Sequence, residues 1–207
     1  MATTASTSDN AGNSSATAVD AQAIEATQRW LERAVIGLNL CPFAKAVHHR
    51  CQIRYVVSSA TDSETLSSEL VAELLRLQAT PAETVETTLL IHPLVLTDFF
   101  DYNAFLTTAD RVVERLGMGG EIQVASFHPQ YEFGDCSADA VDNNTNRSPY
   151  PMLHLLREAS VTKAVAAFPD AEDIYLRNID IMRSLGVAGW LALDVGAASK
   201  ATPRDSP

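Results

Sequence analysis

Cysteine is scarce in this chain, and the way it is scarce is informative. Cys41, Cys51 and Cys136 are the only 3 cysteines, an odd number at irregular spacing. They fit free thiols in a reducing compartment better than a disulfide framework, so a cytoplasmic location is expected. Cationic side chains are also short: 15 Lys and Arg against 26 Asp and Glu leave a net charge of −11. That balance argues against binding nucleic acid or an anionic membrane through bulk charge. No apolar run approaches the ~20 residues of a membrane span. Neither GxxxxGK[ST] nor GxGxxG occurs, which argues against a phosphate cradle of the P-loop or dinucleotide kind. No CxxC or HxxxH pair is present, so no tight metal-ligand spacing stands out.

What the chain does have is material for a core. Hydrophobic residues make up 46% and charged residues 20% of 207, an ordinary globular balance and the length of one domain. Residues 1–20 are nearly all Ala, Ser, Thr, Asn and Asp, too polar to offset the entropy of ordering, and are expected to be a disordered tail. The first basic residue is Arg29, so neither a secretory signal nor an arginine-rich transit peptide is read there. Residues 21–190 are expected to form a single domain, and 191–207 a flexible C-terminal tail.

Within that domain the hydrophobic period changes repeatedly. Ile24, Thr27, Leu31, Val35 and Leu38 recur at helical spacing, predicting an amphipathic helix over 21–38 that Pro42 stops. Ile53, Tyr55 and Val57 alternate with polar residues as a strand. Thr61-Asp62-Ser63-Glu64 reads as a capping box before Leu66, Leu70, Leu74 and Leu77 on one helical face. Thr88 to Ile91 is a short buried strand, 98–116 a helix closed by Gly117, and 122–127 a third strand. Helical patterns are expected near 152–167 and 171–185, the latter ending at Gly186. The reading is α/β: a small two- or three-layer domain with a β-α-β-α-β core, a mostly parallel short sheet, an N-terminal helix and C-terminal helices. One antiparallel strand, as in ferredoxin-like arrangements, stays open.

Two strand ends share a signature, Ile91-His92-Pro93 and Phe127-His128-Pro129. In parallel strands both histidines would lie outside the carboxyl ends, where open α/β sheets bind ligands. A long irregular stretch from about 128 to 151 begins at the same edge and carries Tyr131, Asp135, Asp139, Asp142, Asn144, Asn146, Arg147, Ser148 and Tyr150. Loops of that length are usually functional or disordered, and its Asn/Asp/Ser content suits side-chain-to-backbone bonding. After Pro151, His154 is expected in a first helical turn with Arg157 on the same face. Each residue also has a plainer reading. A strand-end histidine is often structural, Arg147 can clamp its own loop through Asp139 or Asp142, and a thiol at a helix C-terminus, as at Cys41, is not activated by the dipole.

Gly37 to Ala44, Gln123 to Pro129, Asn144 to Pro151 and Leu153 to Ser160 together resemble the mainly bacterial family catalogued as domain of unknown function 1415. The resemblance runs from about Arg29 to Gly186 and covers the Cys-Pro-Phe, Phe-His-Pro, Asn-Arg-Ser-Pro-Tyr-Pro and His-Leu-Leu-Arg-Glu segments. It implies that Cys41, His128, Arg147, Tyr150, His154, Arg157 and Glu158 belong to the family pattern. The N-terminal tail and Gly134-Asp-Cys136, after the Phe-His-Pro strand, depart from it.

Three functions are weighed. The first is an enzyme acting on a small anionic molecule. Arg147 and Arg157 would hold the anion with Asn144 and Asn146, and His128 or His154 would be the acid/base. Tyr150 would donate a hydrogen bond, Glu158 would orient a histidine, and Cys41 would be a candidate nucleophile. The second is a metal or haem site drawing on Cys41, His92, His128 or His154. The third is a non-catalytic ligand- or protein-binding module. The first is the reading adopted, with metal, cofactor and oligomeric state open.

Overall fold

The computed structural model describes residues 10–166 and 174–197. Residues 1–9 and 198–207 of the expected tails, and 167–173 of the expected C-terminal helices, lie outside the described residues. The chain order is helix α1 (Asn10–Trp30), running on as a π-helix over Leu31–Ile36, then α2 (Ala44–His49), strand β1 (Ile53–Val57) and α3 (Ser63–Ala79). There follow β2 (Thr87–Ile91), α4 (Phe99–Arg115), β3 (Ile122–Phe127), a 3₁₀ turn (Val141–Thr145), β4 (Met152–Arg157), α5 (Glu158–Ala166) and α6 (Ile174–Ala192). The protein is thus mixed α/β, with a four-stranded sheet in the order β1-β2-β4-β3.

The sheet corrects the expectation that it is mostly parallel. β1 and β2 are parallel, with Ile53 opposite Thr87, but β4 lies between β2 and β3 and is antiparallel to both. The cause is the segment Met152-Leu-His-Leu-Leu-Arg157, expected as helix and found as strand. A short, nearly continuous apolar run is consistent with either a buried helix or a strand buried on both faces; periodicity alone does not separate them. As a central strand it satisfies its backbone on both sides. Helix begins only at Glu158, whose N–H donates to the Glu121 carbonyl.

Helices cover both faces. Leu66, Leu70, Leu74 and Leu77 of α3, with Phe99, Tyr102, Phe105 and Ala109 of α4, pack on Leu90, Ile122, Leu153 and Leu155. On the opposite face Ala23, Trp30, Leu31, Ala34 and Val35 pack on Leu89, Ile91 and Met152. Burying a large aliphatic side chain contributes about 1.5–3 kcal/mol, so these two layers are the main source of stability. Asp62 caps α3, its carboxylate accepting from the Thr65 N–H (2.8 Å). Asp98 caps α4 in the same way, through Phe100 and Asp101. Gly186 interrupts α6 at φ 64°, where a helix end was expected, but the chain resumes helix to Ala192. Beyond it Val195 is buried against the α1 layer, and Arg29 and Arg33 donate to the Asp194 and Leu193 carbonyls. Among the described residues no helix is long and apolar enough to cross a membrane.

Candidate functional site

β2 and β3 point the same way, each antiparallel to β4 between them, so His92 and His128 emerge at the same edge of the sheet. Both are fully buried on the α4 face. Their rings flank Tyr102 of α4, with centroids 5.7 and 5.0 Å from its ring. The Tyr102 hydroxyl ties the edge together: it donates to the Met152 carbonyl (2.8 Å) and accepts the Phe127 N–H (3.0 Å). Tyr102 enters the sequence reading only as part of the 98–116 helix. Its hydroxyl, in an otherwise hydrocarbon row, is the signal that it had a polar partner.

Both imidazoles hold the 92–98 connection. His92 donates Nδ1–H to the Val95 carbonyl (2.9 Å), since a carbonyl can only accept. His128 accepts the Gln130 N–H at Nδ1 (3.0 Å), which fixes its proton on Nε2 and directs it to the Leu96 carbonyl (3.2 Å). Burial pushes the His92 pKa down to about 4, and it lowers that of His128 as well. Both rings are therefore neutral at pH 7. The Nε2 of His92 is buried with no hydrogen-bond partner among the described residues.

The long loop is built by its own side chains. Asn143, missed in the sequence, accepts the Phe133 N–H and donates to the Ser137 carbonyl. Asn146 donates to the Ser126 carbonyl, and the Ser148 hydroxyl to that of Tyr150. Arg147 donates from Nε to the Tyr131 carbonyl (3.2 Å), from one terminal nitrogen to Asn144 Oδ1 (3.5 Å) and from the other to the Ala138 carbonyl. Neither Asp139 nor Asp142 clamps it. Asp142 is instead gripped by Arg183 of α6, at 2.8 and 3.2 Å.

Arg147 stands in the wall of a cleft of about 370 Å³, lined also by Asp98, Phe99, Phe100, Pro129, Gln130 and Glu132. The capped N-terminus of α4 and the turn after His128 thus form one concave site at the strand-end edge. A second groove, of about 470 Å³ between Leu38 and α6, is lined by no histidine or cysteine.

The expected site residues divide among three places. His128, Asn144, Asn146 and Arg147 gather around the cleft edge. Cys41 and Tyr150 pack against the α1 layer on the other face of the sheet. His154 lies there too, its ring 6.0 Å from Phe127. The expected helical placement of His154 and Arg157 on one face does not hold. In a strand residues three apart point to opposite faces. Because the Thr87 hydroxyl donates to the Leu155 carbonyl, it accepts from His154 Nε2–H (2.7 Å). Burial brings the His154 pKa down to about 4. Arg157 and Glu158 lie at the far end of β4, roughly 16 Å from Met152 at ~3.3 Å per residue. There Arg157 donates to the Leu77, Thr80 and Val85 carbonyls. Among the described residues no group of three or more His, Cys, Asp or Glu is placed to hold a metal ion.

The class defined by this fold and edge is a mixed α/β protein with helices on both sheet faces and a polar cleft beside two buried strand-end histidines. The chain belongs to the family described as "Protein of unknown function (DUF1415)", whose model matches residues 22–192. No curated protein and no solved structure matches it.

Proposed function

We propose that the chain binds a small anionic molecule in the strand-end cleft, with Arg147 as its anchor. The observation that carries this reading is the state of the guanidinium. Three hydrogen bonds fix its plane in the cleft wall. A guanidinium has five N–H donors, so two are left for a ligand. A pre-oriented fork of this kind suits a carboxylate or phosphate. Burial lowers the Arg147 pKa, yet arginine stays charged, so the half-buried cation favours an anion beside it.

The test is a titration of wild-type protein with inorganic phosphate and with 3-phenylpropanoate, followed through the Arg147 Nε–H resonance. A saturable shift is expected, with binding lost in Arg147→Gln. An unmoved Arg147 resonance across both titrations overturns the reading. The wild-type resonance is the primary readout because the substitution also removes a loop clamp.

The catalytic form of the proposal makes His128 the acid/base. Its support is that the ring is neutral, touches the cleft-lining Phe99 (centroids 5.5 Å) and precedes the cleft-lining Pro129 and Gln130. Its Nδ1 lone pair is engaged by the Gln130 N–H, so proton transfer requires that turn to open. Turnover of a bound ligand that disappears in a folded His128→Gln protein is the expected result. Unchanged turnover in that variant removes His128 from the chemistry.

A further inference from the structure

The cleft contains more negative charge than an anion site needs. Asp98 and Glu132 share its lining with Arg147. The Asp98 charge is already used, because Oδ1 accepts the Phe100 and Asp101 N–H groups (2.8 and 3.2 Å) at the positive end of α4. Glu132 is different. It is half-buried, and its carboxylate makes no hydrogen bond or ion pair with any described residue. It lies near enough to Arg147 to act on it electrostatically, yet the two do not close a salt bridge. Two opposite charges thus line one cleft without pairing, together with Phe99 and Phe100. Phe100 is 74% exposed, unusual for a large aromatic.

We infer that the ligand is amphoteric: an amino-acid-like molecule whose carboxylate meets Arg147, whose ammonium meets Glu132, and whose apolar group lies on Phe99 and Phe100. A simple dianion fits worse, since Glu132 repels it without compensation. A zwitterion satisfies both poles at once, and the exposed phenyl ring gains cover from an apolar or cationic neighbour. This deepens the anion-anchor proposal and rests on it.

Three probes of the same skeleton separate the poles: L-phenylalanine, 3-phenylpropanoate, which lacks the ammonium, and phenethylamine, which lacks the carboxylate. Calorimetric titration of the full chain should rank L-phenylalanine first, each truncated probe weaker by about tenfold or more, the weight of one charge-assisted contact. Glu132 makes no hydrogen bond or ion pair with a described residue, so Glu132→Gln should fold as wild type. It should reduce L-phenylalanine to the affinity of 3-phenylpropanoate, while leaving the latter equal or tighter. If 3-phenylpropanoate binds wild type as tightly as L-phenylalanine, the ammonium pole is wrong and the Arg147 anchor stands. If none of the three binds, the amphoteric assignment is overturned, and the phosphate titration alone decides the anchor.

Discussion

His92 and His128 donate to consecutive carbonyls, those of Val95 and Leu96, from strands that are not neighbours in the sheet. Those two donors and the α4 cap at Asp98 fix the connection at three points, and Leu96 between them adopts φ 54°. The same connection carries the wall of the cleft, so fold stability and site geometry depend on the same imidazoles. Their neutrality is a condition of that arrangement, because a second ring proton on His128 would displace the Gln130 N–H.

The pH dependence follows from the sign of these shifts. His92 and His154 have folded pKa values near 4, depressed by burial, against an ordinary value of 6.5. Above 6.5 both states are neutral and contribute no slope. As pH falls below 6.5 the unfolded chain takes up protons that the folded one refuses. Stability then drops by up to about 1.4 kcal/mol per pH unit for each histidine until the folded pKa is reached. Urea unfolding at about pH 7.5 and about pH 5 should show this loss. In His154→Gln, which keeps a donor for Thr87, the loss should be smaller. An identical slope in that variant would mean that His154 is not held neutral.

Tyr102→Phe removes one oxygen and with it two hydrogen bonds, to the Met152 carbonyl and from the Phe127 N–H, which face each other across β3 and β4. A hydrogen bond contributes about 0.5–1.5 kcal/mol net, so a loss of about 1–3 kcal/mol is expected for the two. Faster hydrogen exchange at the Phe127 amide should accompany it. Wild-type exchange there would show that the hydroxyl does not bear on the strand end.

Much of this was legible in the sequence. The three strand segments, read at 53–57, 88–91 and 122–127, the leucine face of α3 and the stop at Gly117 all carry strong local signals. The shared strand-end edge of His92 and His128 was also readable, since it requires only that β2 and β3 run the same way. Long-range effects were not legible. Nothing local marks Met152–Arg157 as the strand inserted between β2 and β3, and that one element moved His154 and Arg157 to opposite faces. Glu132 and the Asp142–Arg183 pair were equally hidden, because their meaning lies in partners met, or not met, across the fold.

The Asp142–Arg183 pair is asymmetric, and the asymmetry gives a directional test. The Asp142 side chain is 10% exposed and that of Arg183 64%. Removing Arg183 leaves a buried carboxylate unpaired, whereas removing Asp142 leaves an arginine that reaches water. Arg183→Ala should therefore lower Tm more than Asp142→Asn, and the double variant should resemble the latter. The reverse order would show that Asp142 has other support.

Gly37 closes the π-helical segment where no side chain fits: a Cβ there would lie 2.3 Å from the Arg33 carbonyl oxygen. Gly37→Ala should cost at least about 1–3 kcal/mol, the range for forced overpacking against an immobile neighbour. Gly134→Ala, with nothing within 4 Å of the added carbon, is the control and should be near neutral. Equal stability of the two variants in urea would mean that the helix end relaxes freely.

The two arginines expected to act together should separate in experiment. Arg157 bridges the Leu77, Thr80 and Val85 carbonyls at the end of the sheet away from His128. Arg157→Met removes those donations, of which only the Leu77 carbonyl keeps a second donor in the Thr80 N–H, and a loss of about 1–3 kcal/mol in urea unfolding is expected. Ligand affinity at the cleft should not change, because no atom of Arg157 lines it. Arg147→Gln should do the opposite in emphasis, abolishing binding of 3-phenylpropanoate while costing less stability, since its loop faces solvent and water replaces part of what is lost. Should Arg157→Met weaken that binding in a folded protein, the two ends of the sheet are coupled, and the assignment of a single local site at the strand-end edge fails.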